Sequence, residues 1–175
     1  MTAIVGLVHN NEMHICGDGL ITDEHDRMIQ VSHPKVFRRK HYLLGCCGDA
    51  VAGDIVEATR LPDFTDPLAD PHRWMVGELV PAIRQAFREQ SYSDDDFGLL
   101  VLVNGRIFAI DEKLGIAGPM LSSYHAIGSG ADFCIGVMAA TMKYGVRYRL
   151  RTALEVASLN CSNVGPPFTY LKMGV

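Results

Sequence analysis

A threonine directly follows the initiator methionine, and an apolar run begins immediately behind it. Residues 3–8 are apolar, residues 9–12 are polar and residues 13–16 are again apolar, which predicts a β-hairpin that starts almost at residue 2. Chain ends are normally frayed unless they are tied into a sheet, so such a hairpin would fix Thr2 in place. A fixed N-terminal threonine could act as a nucleophile, because its own α-amino group, with a pKa of roughly 7.7–8.0, can accept the hydroxyl proton.

This chemistry requires a free amine on Thr2. A small second residue permits removal of the initiator methionine, whereas a retained Met1 would acylate the Thr2 nitrogen and remove the base. Taken alone, Thr2 is more simply explained as an ordinary second residue without a catalytic role.

Four further short motifs follow Thr2-Ala3-Ile4-Val5-Gly6 in order. They are Gly17-Asp18-Gly19, Pro34-Lys35-Val36, Gly45-Cys46-Cys47-Gly48-Asp49 and Ala126-Ile127-Gly128-Ser129-Gly130. Each is weak alone, but their order, spacing and N-terminal anchoring are specific in combination. Together they resemble the β-subunits of the proteasome and, more closely, the bacterial HslV-type peptidase, from Thr2 to near Asn160. The segment 163–170 is similar to proteasome-like proteins encoded in bacteriophage genomes.

The resemblance implies an α+β fold with a single domain over residues 1–175. The fold would be the four-layer αββα sandwich of N-terminal-nucleophile (Ntn) hydrolases, with two antiparallel sheets between helix layers. It also implies a threonine peptidase that cleaves peptides or unfolded proteins without a metal or organic cofactor. A cytoplasmic location is expected on other grounds, because no signal peptide is evident and the odd number of cysteines is typical of a reducing compartment. Members of the family form homo-oligomeric rings, and an ATP-dependent unfoldase is an implied partner.

Within this resemblance, Lys35 would lie beside Thr2 and Asp18 would hold Lys35. A nearby ammonium lowers the pKa of the hydroxyl and of the amine, and a carboxylate prevents that ammonium from being a buried unpaired charge. The alternative is that Asp18 belongs to an ordinary Gly-Asp-Gly turn and Lys35 is a surface strand residue.

Four other residues are implied at the site. The backbone N–H of Gly45 would stabilise the oxyanion, although a strand-to-helix turn glycine is a compatible explanation. Ser129 would relay the proton, or would alternatively cap the helix that follows it. Leu43 and Cys47 would form an apolar substrate pocket.

The chain departs from the family pattern near the end of its last helix. Active proteasome subunits usually have an aspartate there, followed three residues later by a serine, whereas this chain offers Asn160, Ser162 and Asn163. These side chains could replace hydrogen bonds but not a charge. Two other functions therefore stay open: a catalytically silent structural or assembly protein with the same fold, and a small-amide acylase.

Length and composition further narrow the class of protein. A chain of 175 residues that is 48% apolar is long enough for one well-packed domain, and its net charge of -4 argues against nucleic-acid binding. The five cysteines lack metal-ligand spacing and are typical of reduced, buried thiols. The sequence has neither a signal peptide nor an apolar stretch of about 20 residues, so we expect no membrane span.

The elements that must position these residues alternate between strand groups and helix groups. Strands are predicted at 35–37, 41–44, 97–103, 106–110, 124–127 and 168–173, and helices at 49–60, 72–90, 131–143 and 149–160. Asn104-Gly105 is the clearest hairpin turn, three prolines predict a loop over 61–72, and Pro81 is expected to disturb its helix. Hairpin-linked strands with clustered helices favour an α+β class over alternating βαβ units.

Overall fold

The computed structural model describes residues 1–22, 25, 27–64, 70–93 and 96–175, so residues 65–69 of the predicted loop lie outside it. The strands in this part of the chain are β1 (Ile4–His9), β2 (Glu12–Gly17), β3 (Leu20–Thr22), β4 (Met28–Gln30), β5 (Val36–Arg39), β6 (Tyr42–Gly48), β7 (Phe97–Val103), β8 (Arg106–Ile110), β9 (Ile116–Ala117), β10 (Tyr124–Ile127) and β11 (Thr169–Gly174). The α-helices are α1 (Ala50–Ala58), α2 (Pro71–Trp74), α3 (Val80–Glu89), α4 (Ala131–Ala140) and α5 (Val146–Asn160).

The strands form two large antiparallel sheets and a small hairpin. The first sheet has the order β10-β1-β2-β11 and the second has the order β5-β6-β7-β8-β9, while β3 and β4 pair only with each other. Ile4 pairs with Ile127 on one side and with Gly17 on the other, so the start of β1 is held in the middle of its sheet. The sheet therefore holds the N-terminal segment in place, as the sequence predicts.

Helices cover the outer face of each sheet. The apolar faces of α4 and α5 pack on the first sheet around Val5, Leu7 and Cys16. The helices α1 and α3 pack on the second sheet around Leu44 and Leu99. A third apolar cluster fills the space between the two sheets. The predicted four-layer αββα sandwich is thus confirmed.

Three glycines bring the two sheets close together. A Cβ atom on Gly45 would lie 2.7 Å from Ile4 Cγ2, one on Gly17 would lie 2.8 Å from Val36 Cγ1, and one on Gly6 would lie 2.9 Å from a Leu102 methyl. Such distances are too short for packed carbon atoms, so a side chain at any of these positions would displace the neighbouring side chain of the facing sheet.

The predicted helix over 72–90 is continuous but not regular. A π-helical turn, Met75–Leu79, separates α2 from α3, and Pro81 lies just beyond it in the first turn of α3. Because proline cannot donate the hydrogen bond that the preceding turn needs, a widened turn there has a clear cause.

Two differences from the predicted elements affect the site. The strand predicted over 41–44 continues to Gly48, so residues 45–48 are strand and not turn. The hairpin of β3 and β4 was not predicted at all. Among the described residues, no helix has both the length and the apolarity to cross a bilayer.

Candidate active site

Thr2 lies at the entrance to β1 and is almost completely buried, with 4% of its surface exposed. Its backbone N–H donates to Ser129 Oγ at 3.2 Å, and its carbonyl oxygen accepts from the N–H of Gly130 at 3.1 Å. The loop after β10 therefore holds both polar groups of the Thr2 backbone. The same Ser129 hydroxyl lies 3.4 Å from the Thr2 carbonyl oxygen.

Glycine is required at one position of this loop. Gly128 has a φ of 87°, and a Cβ atom there would collide with the carbonyl group of Thr2. Residues with a side chain rarely adopt this conformation, so the Gly-Ser-Gly motif is explained by the close approach of the N-terminal segment.

The ammonium group of Lys35 faces the Thr2 hydroxyl. Lys35 Nζ lies 3.1 Å from Thr2 Oγ1 and 3.0 and 3.1 Å from the two oxygens of Asp18. The Asp18 side chain is 0% exposed and the Lys35 side chain is 12% exposed. A buried ion pair of this kind needs hydrogen bonds for its remaining lone pairs. The backbone supplies them, because the N–H groups of Ala3 and Leu20 donate to Asp18 at 2.9 and 3.2 Å.

Met1 occupies the position of an acyl group on the Thr2 nitrogen. The Thr2 hydroxyl donates to the Met1 carbonyl oxygen at 2.7 Å, and Lys35 Nζ donates to the same oxygen at 3.3 Å. With Met1 in place the nitrogen is an amide and cannot accept a proton. Three of the predicted residues are nevertheless already in contact with Thr2 or with one another.

Gly45 does not lie beside Thr2, Asp18, Lys35 and Ser129. It lies inside β6, paired with Val36 on one side and Leu100 on the other. Cys46 donates its N–H to the Lys35 carbonyl at 3.0 Å. N–H groups alternate in direction along a strand, so the N–H of Gly45 points to β7 and away from Thr2.

Gly48 is a candidate for the oxyanion donor that the sequence motifs did not single out. By the same alternation, the N–H of Gly48 points to the same side of β6 as the N–H of Cys46. At Gly48 this side lies beyond the first residue of β5, where the cleft opens. Gly48 is exposed, lines the cleft and has a φ of 92°. The signal was present in the second glycine of the motif, but predicting that β6 ended at residue 44 placed the turn too early.

Neither of the two predicted pocket residues, Leu43 and Cys47, lines the cleft beside Thr2. Leu43 is 0% exposed in the cluster between the sheets and cannot contact a substrate from there. Cys47 is partly buried at the edge of that cluster. Burial, reinforced by the Asp96 carboxylate, raises the pKa of the Cys47 thiol to about 11, so this thiol is neutral near pH 7.

A cleft of about 490 Å³ opens beside Thr2. Its walls come from the N-terminus, from the small β3–β4 hairpin, from the segment before β5 and from one face of α1. The lining residues are Met1, Thr2, Ile21, Val31, His33, Pro34, Lys35, Phe37, Cys46, Gly48, Asp49, Ala50, Gly53, Asp54 and Glu57.

The end of α5 provides no carboxylate at the position of the missing aspartate. Asn160 lies exposed on the last turn, where its side-chain amide donates to the Val156 carbonyl at 2.8 Å. Cys161 approaches the loop instead, with its sulfur 3.8 Å from the Ser129 carbonyl oxygen. Across the described parts of the chain, no group of three or more His, Cys, Asp or Glu side chains could hold a metal ion.

Comparison with solved structures identifies the fold. The chain is similar to BPH of Thiobacillus denitrificans in complex with epoxomicin (TM-score 0.79, 17% identity, 99% of this chain and 98% of that chain covered). It is also similar to HslV of Trypanosoma brucei (0.72, 17%, 99% and 100%) and to Anbu, an ancestral β-subunit, of Yersinia bercovieri (0.71, 14%, 99% and 82%). No protein-family model and no curated protein sequence matches the chain. The fold is therefore that of HslV- and proteasome-type β-subunits.

Proposed function

We propose that this chain is a threonine peptidase whose nucleophile is Thr2 after removal of Met1. The observation that supports this most directly is the contact between Lys35 Nζ and Thr2 Oγ1 at 3.1 Å, with Lys35 held by the buried Asp18 carboxylate. A buried lysine next to a hydroxyl has a clear use in nucleophilic catalysis, because the ammonium stabilises the oxygen as its proton leaves.

The reaction would proceed through an acyl-enzyme. The free amine of Thr2 takes the hydroxyl proton, and the oxygen attacks the substrate carbonyl carbon. The N–H of Gly48, which faces the cleft, stabilises the resulting oxyanion. Breakage of the C–N bond releases the amine product, which takes up the proton, and leaves an ester on Thr2. Water then hydrolyses this ester and restores the hydroxyl group.

Ser129 would position the base in this reaction. Its hydroxyl already lies 3.2 Å from the Thr2 nitrogen, within hydrogen-bond distance. Once that nitrogen is a free amine, the serine can fix its lone pair towards the Thr2 oxygen and relay the proton.

The structural likeness supports a peptide or unfolded protein as substrate. It also supports a cytoplasmic homo-oligomeric ring, served by an ATP-dependent unfoldase. BPH of Thiobacillus denitrificans, a structure similar over 99% of this chain, is in complex with epoxomicin. Epoxomicin is therefore the probe of choice for the proposed nucleophile.

Intact mass spectrometry of the purified chain, before and after epoxomicin treatment, tests the proposal together with hydrolysis of fluorogenic peptides. We expect a mass lacking one methionine, an epoxomicin adduct and measurable turnover. Thr2→Ala should abolish both adduct and turnover. The matched control Thr141→Ala, at the end of α4, should leave both unchanged. Turnover that survives Thr2→Ala would exclude this mechanism.

One observation favours a second candidate, a catalytically silent protein with a structural or assembly role. Asn160 stands near the position where the family has its aspartate, and its side chain is bonded within α5. Full retention of Met1, with no adduct and no turnover, would support this alternative.

A further inference from the structure

The helix α1 forms one wall of the cleft, and the residues along that wall differ in size and charge. Ala50, Gly53, Asp54 and Glu57 line the cleft, with the i, i+3, i+4 and i+7 spacing of one helix face. The first two are small and leave room next to Gly48. The last two carry carboxylates, which lie roughly 6 and 10 Å further along the helix axis than Ala50.

Most charges in the cleft have partners. Lys35 is paired with Asp18, and Glu57 is paired with His33 at 2.8 Å and with Arg39 at 3.2 Å. Asp49 is also engaged, because it caps α1 by accepting the N–H of Val51 at 3.0 Å.

Asp54 differs from these residues. Over the residues that the structure describes, it has no ion pair and no hydrogen bond to its carboxylate. It is exposed, and it faces the same space as Thr2. Among the described residues that line the cleft, the carboxylates of Asp49 and Asp54 therefore have no cationic partner, and that of Asp54 has no hydrogen bond either.

We infer that the cleft accepts a lysine or arginine side chain, from the residue whose carbonyl Thr2 attacks. This rests on the proposed function, since it assigns a substrate class to the same site. The small residues Ala50 and Gly53 allow a long aliphatic stem to pass, and Asp54 then meets the cationic end. Leu43 and Cys47, which the sequence placed in an apolar pocket, do not line the cleft, and its apolar residues Ile21, Val31 and Phe37 belong to the walls other than α1.

The test compares N-acetylated fluorogenic peptides that differ only in the residue before the scissile bond, arginine, leucine or glutamate. The chain should cleave the arginine peptide with the highest kcat/KM. Asp54→Asn should lower the arginine-to-leucine ratio of kcat/KM by about twofold to fivefold, the range that one exposed ion pair provides. Asp54→Lys should make the glutamate peptide a better substrate than the arginine peptide.

Glu112→Gln is the matched control, because it removes the same charge from an exposed turn after β8 and should leave the ratio unchanged. A preference for leucine in the unaltered chain, or an unchanged ratio in Asp54→Asn, would overturn the inference while leaving the peptidase assignment intact. Cleavage of arginine peptides only when their N-terminal amine is free would also overturn it, because the carboxylate would then bind that amine. Absence of any turnover and of any epoxomicin adduct would instead refute the proposed function.

Discussion

The ion pair between Lys35 and Asp18 offers the sharpest test of how the site is held together. Asp18→Asn keeps the size of the side chain, and its one remaining oxygen can still accept the N–H of Ala3, so the losses are the negative charge and the acceptor for the N–H of Leu20. The Lys35 ammonium, whose side chain is 12% exposed, is then left without its carboxylate partner. Removal of one member of a buried pair costs about 3–5 kcal/mol.

We expect the lower end of that range, about 3 kcal/mol. Lys35 keeps another acceptor, Thr2 Oγ1 at 3.1 Å, whose oxygen is present whether or not Met1 has been removed. In a chain of this size each kcal/mol lowers Tm by about 2–4 °C, so Tm should fall by roughly 6–12 °C. Urea unfolding at a fixed protein concentration measures the free energy directly.

The assay that isolates the pair is a double-mutant cycle with Lys35→Met. Each single variant leaves one buried charge unpaired, whereas the double variant leaves none, so it should be more stable than the sum of the single effects predicts by about 2 kcal/mol or more. The pair of Lys172 and Glu12 is the control, because its separation is also 3.0 Å but both side chains are largely exposed. Its coupling should be much smaller. Additivity within about 0.5 kcal/mol at Lys35 and Asp18 would refute the reasoning.

Two further predictions concern the loop beside Thr2 and a buried histidine. Gly128→Ala, at a φ of 87° and against the Thr2 carbonyl, should cost about 1–3 kcal/mol of unfolding free energy and lower turnover. Gly136→Ala, which meets no atom within 4 Å on α4, should instead stabilise by up to about 1 kcal/mol, and equal effects of the two would contradict this account. Burial lowers the pKa of His14 below its ordinary value, so the unfolded chain binds more protons there than the folded one. Stability should therefore decline as the pH falls below about 6.5, with a shallower decline in His14→Gln, and identical pH profiles from urea unfolding would exclude this role.

Local patterns predicted the parts of the fold that local physics determines. The turn at Asn104-Gly105 has both φ angles positive, at 47° and 69°, which explains why the hairpin of β7 and β8 was predicted with its observed bounds. The β3–β4 hairpin has short strands, and all three residues of β4 are exposed, so its sequence lacked the apolar alternation that signals a strand.

The site was predicted in part for a similar reason. The contacts of Thr2, Asp18, Lys35 and Ser129 follow from motifs whose order along the chain was informative. The direction in which a backbone N–H points depends on where a strand ends, and this could not be seen from the residues around Gly45. The absence of an ion-pair partner for Asp54 was equally hidden, because it depends on where the fold places the nearby cations. The fold brings His33 and Arg39 to Glu57 and not to Asp54.

The glycines between the sheets have a consequence for the chemistry. Thr2 and Asp18 are attached to the first sheet, whereas Lys35 enters β5 of the second, so the spacing of the two layers governs the reach of the ammonium to the hydroxyl. Gly6, Gly17 and Gly45 act as the spacers that set this gap, although none of them lines the cleft. A single methyl group added at any of them would therefore alter the distance between Lys35 Nζ and Thr2 Oγ1 without contacting either residue.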